Sequence, residues 1–266
     1  MVSLAEYLNC LLQGKPEWAI IKQISNTVIE AEITPPLASG FAPDTYILLI
    51  ENVEKGVKVS EKILGEKLPV FCPERHINED GSLCIGYEAG KNINSIGDAR
   101  RWWGDLLEHF NCQYTAKRSG SWPLGKGLSH GDAAKIQFKM EEIAKPLGWY
   151  SEVEVGLFRN KGWLAGRLPK ERGTSRQIVN GRLPCPRGCE YQHYPHKKFD
   201  CGNELCPQSC KKQHNSILRT DCPNKEAVTK LVLLETARRE YEKTYIESLA
   251  LKDCCGTMKN CPFKTK

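Results

Sequence analysis

No run of apolar residues in this chain approaches the roughly 20 that a membrane-crossing helix needs, so a helical membrane protein is not expected. The opening Met1-Val2-Ser3-Leu4-Ala5-Glu6 lacks the basic-then-apolar layout of a secretory leader. A cytoplasmic address is the expectation. There is no internal repeat and no low-complexity tract. What is present, 26% charged and 40% hydrophobic residues over 266 positions, suits a soluble globular protein of one large domain or two ordinary ones.

Cysteine is abundant, and its placement is lopsided. Cys10, Cys72, Cys84 and Cys112 are scattered over the first 150 residues, whereas the other nine crowd the last 82. In a reducing compartment such thiols favour metal binding or chemistry over disulfides. Charge divides the same way: residues 1–150 carry 16 Lys/Arg against 19 Asp/Glu, and residues 151–266 carry 22 against 13. Two domains with different tasks are expected, 1–150 and 151–266.

Ser3-Leu4-Ala5-Glu6 is a capping box, and Leu4, Leu8, Leu11 and Leu12 follow on one helical stripe until Gly14 and Pro16. Thr27 to Ile33 alternates apolar residues with Glu30 and Glu32, a half-buried strand. Thr45 to Ile50 reads as a more buried strand and Lys67 to Phe71 as a short edge strand interrupted by Pro69. Loop-forming residues then dominate from Phe71 to Asn94. Helical periodicity returns at Ile96 and continues through Trp102, Trp103, Leu106 and Phe110. A further helix starts at Ser129 or Asp132, and a long one lies between Lys225 and Leu251. The front half is therefore expected to be α+β, with helices on one face of an antiparallel meander.

The chemistry concentrates between Pro73 and Gly86. Asp80-Gly81 marks a tight turn, because glycine accepts positive φ without penalty, and the turn folds His76 and Asn78 back towards Cys84. A free thiol with a pKa of about 8.5 is a few per cent thiolate at neutral pH, which already suits it to accept an acyl group. A nearby amide donor can stabilise a tetrahedral oxyanion by roughly 2.7–4 kcal/mol. Cys84 is the candidate nucleophile and Asn78 the candidate oxyanion donor. His76 is read as holding the loop by a hydrogen bond rather than acting as a base. Cys10, Cys72 and Cys112 read as small buried hydrophobes, with a place behind Cys84 as the alternative for Cys72. His130 reads as part of a helix-capping loop, with a place near Cys84 as its alternative.

This segment resembles the active-site loop of ubiquitin-conjugating enzymes, where a His-Pro-Asn triplet precedes an Asn/Asp-Gly turn and the catalytic cysteine. Here His76-Ile77-Asn78 stands for the triplet and Asp80-Gly81-Ser82-Leu83-Cys84 for the turn and nucleophile. The isoleucine, the shortened spacing and the tryptophan-rich Arg101-Trp102-Trp103-Gly104-Asp105-Leu106 are similar to the divergent bacterial branch. The resemblance covers about residues 1–148. It implies a UBC-like fold and an enzyme that takes a ubiquitin-like modifier from an activating enzyme as a thioester on Cys84. Transfer to a target amine or hydroxyl would follow, in a pathway that in bacteria often serves antiviral defence.

In the second half, Cys185 and Cys189 make a compact pair, and Cys201, Cys206 and Cys210 follow with His214. His193 and His196 lie between these groups, and Cys222, Cys254, Cys255 and Cys261 come after them. Thiolate-rich sets of this kind suit tetrahedral structural zinc, and twelve donors are enough for two sites. Few large apolar residues lie outside the one long helix there, so metal would supply folding energy. Zinc is expected to be structural, with no cofactor for catalysis. Two rival readings stand beside the enzyme: a non-catalytic adaptor of the same fold, and a nucleic-acid-binding zinc protein. The second is motivated by the net +9 of the second half, but its charges are scattered and no DNA-reading finger spacing occurs.

Overall fold

Alternation along Val28–Ile33 puts Ile29, Ala31 and Ile33 on one face at 0% exposure, while Glu30 and Glu32 meet Lys62 and Lys22 on the other. In the computed structural model this segment is the second strand of a four-stranded antiparallel sheet. The structure describes residues 6–37, 43–54, 56–172, 177–178, 183–186, 217–249, 252–253, 255–259 and 261–263. The chain divides into two compact units, Met1–Lys126 with Leu249–Lys266, and Gly127–Ser248. The 150/151 boundary marks a change of composition, whereas these units follow contacts.

In the first unit, helix α1 (Glu6–Gln13) precedes strands β1 (Ala19–Ile24), β2 (Val28–Ile33), β3 (Tyr46–Val53) and β4 (Gly56–Glu61), which lie in sheet order β1-β2-β3-β4. Helix α2 (Ile96–Ser119) starts where Ser95 accepts the Asp98 N–H, and it stops at Gly120 (φ 67°), whose N–H returns to Ala116. Leu8 and Leu11 of α1, Leu48 and Ile50 of β3, and Ala99, Trp102, Trp103, Leu106 and Phe110 of α2 join the inner face of β2 in one core. The indole N–H of Trp103 donates to the Leu11 carbonyl (3.0 Å), which satisfies a buried polar group and fixes α1 on α2.

Two parts of the sheet depart from expectation. Strands β1 and β4 were not anticipated, and Lys67 to Phe71 is not a strand. The N–H groups of Lys67 and Leu68 donate to the Glu61 carboxylate, not to a neighbouring strand, and Pro69 has no N–H to offer.

The second unit contains α3 (Ala133–Ala144), α4 (Tyr150–Arg159), a two-residue ribbon of β5 (Glu171–Arg172) and β6 (Gln177–Ile178), and α5 (Lys225–Ser248). Met140, Val153, Leu164, Val228, Leu231 and Val232 are fully buried in its core. Among the described residues no helix is long and apolar enough to cross a membrane.

Candidate active site

The loop after β4 is built from short backbone closures. Cys72 and Ile77 pair across the 3-10 turn Pro73–Arg75, and His76 takes a left-handed conformation (φ 53°, ψ 44°) to leave that turn. Histidine is among the residues that tolerate this region better than most. Ile77 then pairs with Leu83 around the Asp80-Gly81 turn, where Asn78 donates its N–H to Ser82 and accepts from Gly81. Asp80 closes the turn by accepting both the N–H (2.9 Å) and the hydroxyl (2.6 Å) of Ser82, so its carboxyl is held below the usual range despite partial burial. Leu83 donates to Val59 of β4. The loop is thus fastened to the sheet immediately before the cysteine.

The structure brings His76 and Cys84 together through the backbone: the Cys84 N–H donates to the His76 carbonyl at 2.8 Å. The His76 ring is buried edge-on against Trp122, with centroids 4.6 Å apart. Asn78 is exposed, and its amide donates to the Ser82 hydroxyl (2.9 Å) within the turn. Cys84 itself is half-buried. Burial pushes its thiol up, partly offset by a hydrogen bond from the Gly86 backbone. Cys84 is therefore a thiol at neutral pH, partly open to solvent, on a loop pinned on both sides.

Beneath it lies a layer of polar residues. His109 and Gln113, four apart on α2, are 3% and 1% exposed. The Gln113 amide donates to His109 Nε2 (2.9 Å) and to the Arg75 carbonyl (2.6 Å), and its oxygen accepts from Arg75 Nε (2.7 Å). With Nε2 accepting, Nδ1 carries the proton; burial and the nearby Arg75 charge lower the His109 pKa to about 3. The imidazole is thus neutral. Sequence reasoning missed Arg75, His109 and Gln113. The available signal was a histidine and a glutamine one helical turn apart on the apolar side of α2, which demands buried partners.

The remaining cysteines of the first 126 residues differ in their surroundings. Cys10 packs against the main core, and Cys112 is buried beside Glu108. Cys72, 1% exposed, touches the sulfur of Cys255 at 2.8 Å. His130 belongs to the second unit, where its ring pairs with Glu242 (2.5 Å) and stacks on Tyr245.

Of the twelve zinc candidates, Cys185 and Cys222 are found in the apolar core of the second unit and Cys255 and Cys261 in the first unit. Cys189, His193, His196, Cys201, Cys206, Cys210, His214 and Cys254 lie outside the described residues. Among the described residues, no three His, Cys, Asp or Glu side chains gather as a metal site requires. The fit to zinc therefore rests on donor chemistry, sulfur and imidazole at short spacing.

Comparison with known proteins agrees with the layout of the front unit. Residues 18–124 match the family described as prokaryotic E2 domain, and residues 196–263 match a cysteine-rich domain described as C-terminal to the E2 domain. No curated protein and no solved structure matches the chain. The E2 match spans the sheet, the Cys84 loop and α2. The chain is accordingly a prokaryotic E2 domain followed by the cysteine-rich domain that accompanies it.

Proposed function

We propose that Cys84 accepts the C-terminal carboxyl of a ubiquitin-like modifier from an activating enzyme and passes it to a target amine or hydroxyl. The observation that carries this reading is a half-buried thiol, inside an E2 domain, on a loop bonded to the sheet at Leu83 and to His76 at Cys84 itself. In the first step the Cys84 sulfur attacks the thioester carbonyl on the activating enzyme, a new S–C bond forms, and the enzyme's sulfur leaves with the proton. In the second, the acceptor attacks the same carbon and Cys84 is released. A thiol held above the ordinary cysteine range is a strong nucleophile once ionised and a slow leaving group, which favours a lasting thioester. The supporting layer of Arg75, Gln113 and His109 acts by position, keeping the loop from relaxing between steps.

One observation favours a second reading, a non-catalytic adaptor: burial raises the Cys84 thiol, and no side-chain charge among the described residues counters it. A single experiment separates the two. Protein, activating enzyme, modifier and ATP are mixed and run on a non-reducing gel. A thiol-sensitive adduct, lost in Cys84→Ala, supports the enzyme. No adduct supports the adaptor, and an adduct unchanged in Cys84→Ala moves the nucleophile elsewhere.

We also infer that the cysteine-rich domain holds structural zinc, with donors drawn from Cys185, Cys189, His193, His196, Cys201, Cys206, Cys210, His214, Cys222, Cys254, Cys255 and Cys261. Thiolate donors at such spacing would supply folding energy that its sparse apolar residues do not. Metal analysis of the full chain, expected to find two zinc ions per chain, tests this; a metal-free folded protein overturns it.

A further inference from the structure

We propose that Cys72 and Cys255 are a redox-active thiol pair that closes to a disulfide on exposure to a peroxide and fastens the C-terminal segment beneath the Cys84 loop. The proposal is independent of the thioester chemistry at Cys84.

The two sulfurs stand 2.8 Å apart although 183 residues separate them in sequence. That approach is closer than ordinary non-bonded packing, and only a small shift is needed to bring it to bonding distance. The contact is held by everything around it. Thr257 lies 3.5 Å from the Arg75 guanidinium, the Lys259 N–H donates to the Gly120 carbonyl at 2.8 Å, and Lys252 pairs with Glu79 at 2.5 Å. Met258 is 3% exposed in a small apolar cluster with Ala116, Cys72 and Cys261. The segment is therefore already seated on the first unit with its thiols reduced.

The two thiols differ in access, as a redox couple requires. Cys72 is sealed, whereas Cys255 lines an open cavity of about 730 Å³ together with Lys67, Arg75, Lys117 and Lys252. A small peroxide can reach Cys255 through it. The Cys255 sulfur attacks one peroxide oxygen, an S–O bond forms, the O–O bond breaks and water leaves. Cys72 then attacks the oxidised sulfur, the S–S bond forms, the S–O bond breaks and a second water leaves. Sulfur loses two electrons in all and the peroxide gains them. On this proposal Cys255 serves this thiol pair in place of a zinc site.

The consequence lies at the foot of the active loop. Cys72 exchanges backbone hydrogen bonds with Ile77 (3.1 and 3.0 Å), and the next closure up holds Cys84 on His76. A covalent link at Cys72 would stiffen that base.

The test uses the full chain, reduced and then treated with hydrogen peroxide, with thiols blocked and tryptic peptides mapped without reduction. Residues 68–75 linked to 253–259 are expected, reversed by dithiothreitol. The link should persist in Cys254→Ser and in Cys84→Ser and vanish in Cys255→Ser. Absence of that peptide overturns the proposal, as does its survival in Cys255→Ser. A zinc content that drops by one ion in Cys255→Ser also overturns it, since these sulfurs would then be metal ligands.

Discussion

His109 on α2 accepts the Gln113 amide at 2.9 Å from a position with 3% exposure, a neutral imidazole that solvent hardly reaches. The folded protein keeps this ring uncharged down to a pKa of about 3. In the unfolded chain an ordinary histidine takes up a proton near pH 6.5. The unfolded state therefore binds more protons between these two values. Stability from this group is complete above about pH 6.5 and is lost, at about 1.4 kcal/mol per pH unit, as pH falls towards 3. Denaturant unfolding at a series of pH values checks this. His109→Gln should flatten the acid-side loss relative to the parent while costing about 1–3 kcal/mol at neutral pH. An unchanged pH slope in the variant would show that His109 is not the group responsible.

Cys84 responds to pH in the opposite part of the scale. Burial disfavours the thiolate, and the Gly86 N–H offsets only part of that cost. Alkylation by iodoacetamide, followed on the peptide that carries Cys84, should rise with pH and reach its midpoint above the ordinary cysteine value. At neutral pH it should be slower than for free cysteine. Thioester formation should share this alkaline rise if attack by the thiolate limits it. A midpoint below the ordinary value would mean that a cation stabilises the sulfur and that the loop is arranged differently.

How much of this was legible beforehand depended on whether a residue's role was local. The Asp80-Gly81 turn and the return to Cys84 could be read because the turn is local: Asp80 bonds Ser82 two residues on. The alternation of Ile29, Ala31 and Ile33 announced β2 for the same reason. Strand β4, Gly56–Glu61, hid because Ser60 and Glu61 are polar yet 8% and 5% exposed, which breaks the visible alternation. Strand β1 hid because Ile20 and Ile24 are about half exposed on an edge. Arg75, Gln113 and His109 act on the loop across long stretches of sequence, so their purpose appears only once α2 is packed beneath it.

Two glycines near the site should tolerate alanine unequally. Gly81 has φ 77°, and a Cβ there would lie 2.5 Å from the end of the Leu64 side chain, which can swing away. The cost is mainly the left-handed backbone, about 1–2 kcal/mol. Gly90 has φ 91°, and its Cβ would lie 2.4 Å from the Val57 carbonyl oxygen in β4, which cannot move without breaking the sheet; Val57 in turn donates its N–H to the Gly90 carbonyl. Gly90→Ala should therefore destabilise the first unit by more than Gly81→Ala does, by at least about 2 kcal/mol in all. Thermal unfolding of the two variants side by side decides the order, and equal losses would refute the packing argument.

The second unit stakes its stability on a buried charge cluster. Arg238 meets Glu235 through two hydrogen bonds (2.7 and 3.0 Å), with side chains 8% and 1% exposed, and reaches Glu242 and the Ser129 hydroxyl at 3.1 Å each. Burial alone would raise the Glu242 carboxyl, but the hydrogen bond and charge of His130, with the Arg238 charge, hold it low. Removing one member leaves the others charged and desolvated, so Arg238→Met should cost about 3–5 kcal/mol, somewhat less if Arg239, 2.6 Å from Glu235, takes over. Replacing both partners removes the stranded charge as well. The double variant Arg238→Met with Glu235→Leu should be more stable than Arg238→Met alone, a non-additivity that denaturant unfolding of the parent, both single variants and the double variant measures directly. If the two losses simply add, the pair is not coupled, and the cluster contributes packing and not compensation of charge.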